Sequence, residues 1–346
     1  MTGRIFVNAR IAGQPVNGQS RALAEILCRL PAATKLAPRK PLGGAAGHAW
    51  EQAVLPLLAA GGTLWSPSAT GPALHPRHVV TLHDVAFLDR PDFYSPAFAR
   101  FYATLAPALA RTARRIVTVS EFSASRIRER LPAARDKLVV IGNGVASRFR
   151  PQAPHAIAAA RAKLALPARY LLAQAPANKR KNLDGLYAAW RAALPALPGD
   201  LELVVSGKAL ERRAFGDVTE PPAPPRVRRI GFVDDGDMAP LLAGAEAFVF
   251  PSLYEGFGIP VIEAMACGTP TLTSNVTATA EVAGDAALLV DPASPEAMAR
   301  GLVAIATDGA LRARLALAGP ARAAAYSWDD AARRYAALFE DVATGR

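Results

Sequence analysis

Short runs rich in Val, Ile and Leu alternate along the chain with longer stretches whose apolar residues recur at helical spacing. In the first half, Arg4–Asn8, Val79–His83, Ile116–Ser120 and Leu138–Gly142 read as strands. Between them, residues 22–30 place Leu23, Ile26, Leu27 and Leu30 on one helical face, and residues 98–111 and 121–131 read as further helices. In the second half, Tyr170–Ala173, Leu201–Ser206, Ala247–Phe250, Pro270–Thr273 and Ala287–Val290 read as strands. Residues 182–193, 237–243, 260–267 and 295–306 separate them as helices. Strand–helix alternation implies parallel sheets covered on both faces, so the fold class is α/β with two doubly wound, Rossmann-like domains. Pro151, Pro154 and Pro167 flank an alanine-rich joint, and the domains are expected at 1–160 and 161–326, with an amphipathic helix in 327–346. Glu211–Pro225, with two Pro-Pro pairs, reads as an exposed loop.

The length of 346 residues suits two domains, and 51% hydrophobic with 20% charged residues excludes wholesale disorder. Only Cys28 and Cys267 are present, which excludes a disulfide scaffold and a four-cysteine zinc site; both read as helix-packing residues. No apolar run reaches the ~18 residues of a membrane span, and the first residues do not resemble a secretory signal, so a cytoplasmic setting is expected. Net charge is +11, unevenly spread: residues 1–150 hold 20 basic and 8 acidic residues, the remainder 20 and 21. Such a half attracts anionic lipid, acidic small molecules or nucleic acid, or serves only as a solubility face. The arginines are dispersed without a nucleic-acid motif, so no nucleic-acid partner is expected.

The densest chemistry lies in residues 250–270. A buried strand ends at Phe250, a loop carries Gly256 and Gly258, and a helix starts near Pro260, a residue suited to the first helical position. Glycines let a ligand approach the backbone, and the helix start favours a phosphate. Glu255 in the loop and Glu263 one turn into the helix frame this turn. An ionised carboxylate only accepts hydrogen bonds, so the pair suits hydroxyl-rich partners, a sugar ring at one end and a ribose diol at the other.

The Glu255-x7-Glu263 spacing resembles that of the retaining family 4 glycosyltransferases, which have the GT-B fold. Thr81-Leu82-His83-Asp84-Val85, Val119 to Ser123, Ile141 to Val145, Lys179-Arg180-Lys181-Asn182, Ser274 to Thr277 with Glu281 to Gly284, and Ser327-Trp328 fit the family in order. The match covers nearly the whole chain and is closest to the mannosyltransferase-like branch of bacterial cell-surface polysaccharide assembly. The resemblance implies two domains facing across a cleft, the last helix packing back on the first. It places Glu263 on the donor ribose and Glu255 on the transferred sugar. Ser206, Gly256, Phe257, Gly258 and Ile259 fall near the nucleotide, the sugar and its diphosphate.

Lys179-Arg180-Lys181 alone reads as a solvated turn; between a strand end and a helix start, and by the resemblance, Arg180 and Lys181 neutralise the diphosphate. Fixed cations there stabilise the charge that develops on a departing phosphate. Relatives often carry a glycine turn before this pair, where this chain reads Ala173-Gln174-Ala175-Pro176. The resemblance also places His83 beside the donor sugar, and Asn17-Gly18-Gln19 near the phosphates and acceptor. Asp84 reads as a brace for the turn. Ser120 and Glu121 read either as acceptor contacts or as a helix start. Asp234-Asp235-Gly236-Asp237 reads as a helix cap rather than a metal motif, and Gly142 and Gly144 as the turn leaving the first sheet.

The resemblance implies a retaining, metal-independent hexosyltransferase acting through an oxocarbenium-like ion pair, without an enzyme nucleophile. The nucleotide-sugar donor is a co-substrate, GDP-mannose first and UDP- or dTDP-sugars behind it. The acceptor is a glycan or lipid-linked oligosaccharide, met at the inner face of the cytoplasmic membrane with the basic half on anionic lipid. The alternatives are a GT-B epimerase or phosphorylase, and a catalytically silent sugar-nucleotide-binding subunit.

Overall fold

A computed structural model describes residues 3–13, 18–207, 212–215 and 219–345. It contains two six-stranded, all-parallel sheets. The first comprises β1 (Ile5–Asn8), β2 (Thr34–Leu36), β3 (Thr63–Ser66), β4 (His78–Thr81), β5 (Arg115–Thr118) and β6 (Leu138–Val140), in the order β2-β1-β3-β4-β5-β6. The second comprises β7 (Arg169–Gln174), β8 (Leu201–Ser206), β9 (Val227–Gly231), β10 (Ala247–Phe250), β11 (Thr271–Ser274) and β12 (Leu288–Val290), in the order β12-β11-β10-β7-β8-β9. β3, β4, β10 and β11 are buried at every position, as strands of a parallel sheet covered on both faces are. The strand order reverses between β1 and β3 and again between β7 and β10, and ligands of such sheets bind outside the carboxyl ends at these points.

Three strands were not anticipated. β2 is a three-residue edge strand, β3 is a short Thr-Leu-Trp-Ser run behind Gly61-Gly62, and β9 carries Arg228 and Arg229 at the sheet edge. Each is too short or too polar for its own pattern to declare it, and its neighbour in the sheet supplies the pairing. The expected strand through His83 stops at Thr81. Within the expected loop, Arg212–Phe215 is a helix, while Glu211 and residues 216–218 lie outside the described residues.

The chain divides into two compact units. The first holds residues 1–91, 96–144 and 327–346, the second 92–95 and 145–326. The expected boundary at 160 therefore falls at Gly144/Val145, because Ala146 and Phe149 already belong to the second core and the Pro154–Lys163 helix follows them. The final helix, Trp328–Thr344, joins the first unit as expected. Trp328, Tyr335 and Phe339 bury themselves against Val7, Ile26 and Trp65, with the Trp65 ring 4.9 Å from Tyr335 and 5.7 Å from Phe339. Trp65 Nε1 donates to Thr81 Oγ1 at 3.0 Å, and the Thr81 and Tyr335 hydroxyls pair at 3.1 Å. Gly144 lies so close to this helix that a Cβ there would stand 2.2 Å from the Trp328 nitrogen.

His78, the first residue of β4, is buried with Nε2 2.9 Å from Ser66 Oγ. Burial, with His75 adding to it, lowers its pKa from 6.5 to about 3. The folded state thus refuses a proton that the unfolded chain accepts, so the stabilising effect of neutral His78 is full above pH 6.5 and is lost as pH falls towards 3. At about 1.4 kcal/mol per unit, the loss between pH 6.5 and pH 4 is on the order of 3 kcal/mol. Urea denaturation across this range should show it, and His78→Gln should flatten the dependence.

Candidate active site

The parallel neighbours β7 and β10 bring two loops together at the carboxyl edge of the second sheet. After β7, Asn178 caps a tight turn, Lys179–Lys181, its Oδ1 accepting from Lys181 N at 2.8 Å. Asn182 then takes a left-handed conformation (φ 59°), and its Nδ2 donates to Pro251 O at 3.2 Å and Pro292 O at 2.7 Å. Leu253 N donates to Arg180 O at 2.9 Å. Two of these bonds, to Pro251 and from Leu253, fasten the basic turn to the loop that follows β10. The glycine missing before this turn is offset from the neighbouring strand end. Gly207, at φ 127°, lies where a Cβ would stand 2.9 Å from Pro176 N, so its bare backbone makes the room.

The loop after β10 delivers Glu255. Its Oε1 lies 2.6 Å from Lys181 Nζ and its Oε2 4.0 Å from Arg180 Nη2. Lys181 Nζ also stands 4.5 Å from the centre of the Phe250 ring, a cation–π contact. Burial by itself would raise the Glu255 pKa, but Lys181 and then Arg180 outweigh it and hold the carboxyl below its ordinary value. Gly258 (φ 101°) turns the chain into the Ile259–Ala266 helix, with Pro260 in its first turn and Glu263 buried along it. Here a side chain would be strained and would also press on Thr279 Cγ2 at 3.1 Å.

The structure therefore brings Arg180, Lys181 and Glu255 into one charged cluster, with Gly256, Phe257, Gly258 and Ile259 in the same loop and helix start. Glu263 follows on that helix. Phe257 and Ile259 are buried, and the Phe257 ring packs edge-on against Tyr326 at 5.4 Å, so only their backbone is in question at a ligand. Ser206 is buried at the end of β8, and its hydroxyl donates to Ala173 O at 3.2 Å, which ties β8 to β7. Cys267 is buried with its thiol pushed up to about 12 by that burial and by Glu263, which fits packing. Cys28 is exposed, contrary to its expected packing role, because it follows the last turn of the Gly18–Leu27 helix.

In the first unit, His83 Nε2 lies 2.9 Å from Pro67 O. A carbonyl oxygen only accepts, so Nε2 carries the hydrogen, and burial lowers the imidazole pKa, leaving Nδ1 a neutral acceptor. Asp84 braces the following turn, its Oδ1 accepting from Ala86 N at 3.0 Å. Ser120 caps the Glu121–Arg130 helix through Ser123 N, which is the helix-start role. Gly18 and Gln19 open the Gly18–Leu27 helix, and Asn17 lies outside the described residues. Asp234 stands at the start of the Asp235–Ala243 helix but makes no side-chain cap; it and Asp237 face Lys163, and Asp235 faces Arg148.

Two family descriptions match the chain, "Glycosyl transferases group 1" over residues 158–322 and "Glycosyltransferase Family 4" over residues 54–148. A curated relative, the O-antigen chain mannosyltransferase B of Escherichia coli, is 31% identical over 257 residues, which are 73% of this chain and 68% of that protein. The chain belongs to glycosyltransferase family 4. The serotype-specific mannosyltransferase WbdA of Escherichia coli is also 31% identical over 265 residues; there the match spans 73% of this chain but only 32% of the relative. Among solved structures, Anabaena HepE in complex with UDP and glucose superimposes with a TM-score of 0.74 at 18% identity, over 96% of this chain and 98% of HepE. WaaG, a glycosyltransferase involved in lipopolysaccharide biosynthesis, gives 0.71 at 18% identity, over 99% of both chains. These likenesses establish the GT-B fold of this glycosyltransferase.

Sequence reasoning had not assigned Thr277 a role. It is β-branched yet holds φ 62°, and its Oγ1 accepts from Glu255 N at 3.3 Å, while Ala278 N donates to Glu255 O at 3.3 Å. Strain of about 1–3 kcal/mol at such a residue is kept only where the surroundings enforce it. Here it fixes the backbone of the family's loop glutamate. Asn178 and Asn182 were likewise unassigned, although an Asn just before a basic turn is a readable cap signal.

Proposed function

We propose that this glycosyltransferase transfers a hexose with retention from a nucleotide-sugar donor to a glycan or lipid-linked oligosaccharide. GDP-mannose is the first donor, because the two relatives named above are mannosyltransferases; UDP-glucose stands second, since HepE was solved with UDP and glucose. The observation that carries the reading is the cluster of Lys181, Arg180 and Glu255 at the switch point of the second sheet. As the anomeric C–O bond breaks, its electron pair stays with the departing diphosphate. Lys181 and Arg180 meet that charge, the work a metal ion performs in other transferases, and no metal is invoked. Glu255, held ionised, accepts hydrogen bonds from sugar hydroxyls, and Glu263 accepts from the ribose diol. His83 contributes Nδ1 as a hydroxyl acceptor. The departing phosphate takes the acceptor's proton.

A thermal-denaturation screen of GDP-, UDP- and dTDP-sugars tests this. A donor at 100 times its Kd should stabilise by about 2.7 kcal/mol, GDP-mannose most strongly, and Glu263→Gln should lose about tenfold in affinity. A set in which no nucleotide sugar stabilises the protein would end the proposal.

The same reading includes peripheral association with an anionic membrane at its inner face. It is supported by the basic first half and by exposed apolar side chains on two joined segments, Val54, Leu57 (76% exposed) and Leu58 on one and Leu74 (83%) on the other. Gln52 joins these segments by donating to Gly71 O and accepting from Ala73 N, and Arg77 reaches Gly61 O. No described helix is long and apolar enough to cross a membrane. Sedimentation should show more protein bound to anionic than to neutral vesicles, with salt weakening it and Leu57→Ser with Leu58→Ser reducing it. Equal, salt-independent partition to both vesicle types contradicts it.

A further inference from the structure

A second polar cluster lies in the first unit, and no step above uses it. Its hub is Glu51 on the Gly44–Ala53 helix, with 0% of its side chain exposed. Asn8 Nδ2 donates to its Oε1 at 2.7 Å and Thr70 Oγ1 at 2.9 Å, while Arg10 Nε stands 3.0 Å away. Its other oxygen, Oε2, faces His48 Nδ1 at 3.1 Å. Burial pushes the Glu51 pKa up, but His48, Arg10 and Asn8 together bring it below its ordinary value, so the group is a carboxylate. Asn8 ends β1 and Thr70 follows β3, which places the cluster where the order of the first sheet reverses. A buried ion pair is weak evidence for stability, since well-packed apolar residues often serve as well. At a switch point its more informative use is to hold a group for a ligand.

That group is His48. Because a carboxylate only accepts, Nδ1 carries a hydrogen, and the ring is fixed with Nε2 turned away from Glu51; among the described residues Nε2 has no hydrogen-bond partner. The side chain is 21% exposed, and its ring lies 4.3 Å from that of Phe101, an exposed aromatic on the Pro96–Thr112 helix. Phe101 is steadied edge-on by Tyr102 at 5.2 Å. An apolar ring face beside one oriented ring nitrogen suits a pyranose, whose C–H face stacks on an aromatic while its hydroxyls both donate and accept hydrogen bonds.

We propose that His48 and Phe101 form a subsite for a sugar ring of the acceptor glycan, with Glu51 as the positioning residue that fixes the imidazole. This rests on the proposed transfer to a glycan and goes beyond it, naming where one acceptor ring is read.

The test uses the full chain with histidine labelled at Cε1 and a panel of mannose, glucose and galactose disaccharides as probes. At least one disaccharide should shift the His48 signal and leave that of His155, on the second unit, in place. With that disaccharide as acceptor, His48→Ala and Phe101→Ala should each raise the acceptor KM about tenfold, the scale of one lost hydrogen bond or stacking contact. Donor affinity, read by thermal shift, should match the wild type. Phe101 is exposed, so its variant keeps the test independent of folding. Glu51→Gln should broaden the His48 signal and raise the same KM. A wild-type protein in which no disaccharide moves His48, or variants that lower Tm while the acceptor KM stays put, would overturn the subsite. Failure of donor binding in the wild type would instead overturn the proposed transfer, so the two failures are told apart.

Discussion

Lys181→Ala is expected to lower kcat/KM by about 10²- to 10³-fold, the scale of removing one fixed donor from a developing anion. The effect should fall on kcat, because the diphosphate, already anionic in the donor, takes on a further negative charge as the glycosidic bond breaks. The variant also strands Glu255, which is buried 2.6 Å from the lost ammonium. Stability should therefore fall by a few kcal/mol, as when one partner of a buried pair is removed. Lys181→Met combined with Glu255→Leu separates the two losses. It removes both charges and should recover much of the Tm while kcat/KM stays low. Steady-state kinetics and a melting curve on the same preparations decide it, and an unchanged kcat/KM in Lys181→Ala would remove the cationic turn from the mechanism.

Glu255→Gln should reduce kcat/KM by about 10- to 100-fold, the range for losing hydrogen bonds to a charged acceptor. It also turns an amide towards Lys181 and leaves both cations without their counter-charge. Because Glu255 has a lowered pKa, the stability that it adds is present above the ordinary carboxylate range and disappears as pH falls through the lowered value. Glu255→Gln should remove that component. Urea midpoints measured from pH 6 down to pH 3 should thus drop less steeply in the variant than in the wild type.

The residues that make bonds to several partners were harder to read than those that make a pattern. Phe250, Glu255 and Pro260 announce a strand, a loop and a helix start in sequence order, because each element's signal is local. The pairing of Lys181 with Glu255 joins residues 74 positions apart, and only parallel β7 and β10 place them together. Ser206 likewise makes a bond that no local pattern declares, its hydroxyl donating to the Ala173 carbonyl of the neighbouring strand. Thr277 could not be foreseen, since a β-branched residue gives no sign that its backbone will be forced to a positive φ. In the first unit, Glu51 sits among apolar and small residues of its own helix, and nothing local shows that Asn8, Arg10 and Thr70 converge on it.

The course of the chain between the two units bears on how the protein is made. Val145 N donates to Tyr326 O at 3.1 Å, so the long segment of the second unit begins and ends at one point, as a continuous insert. During synthesis that insert is finished once residue 326 has left the ribosome. The first unit is still open then, with Trp65 waiting for Tyr335 and Phe339, which follow the insert in the chain. A chain truncated after Tyr326 should therefore keep a protease-resistant second unit beside a digestible first one.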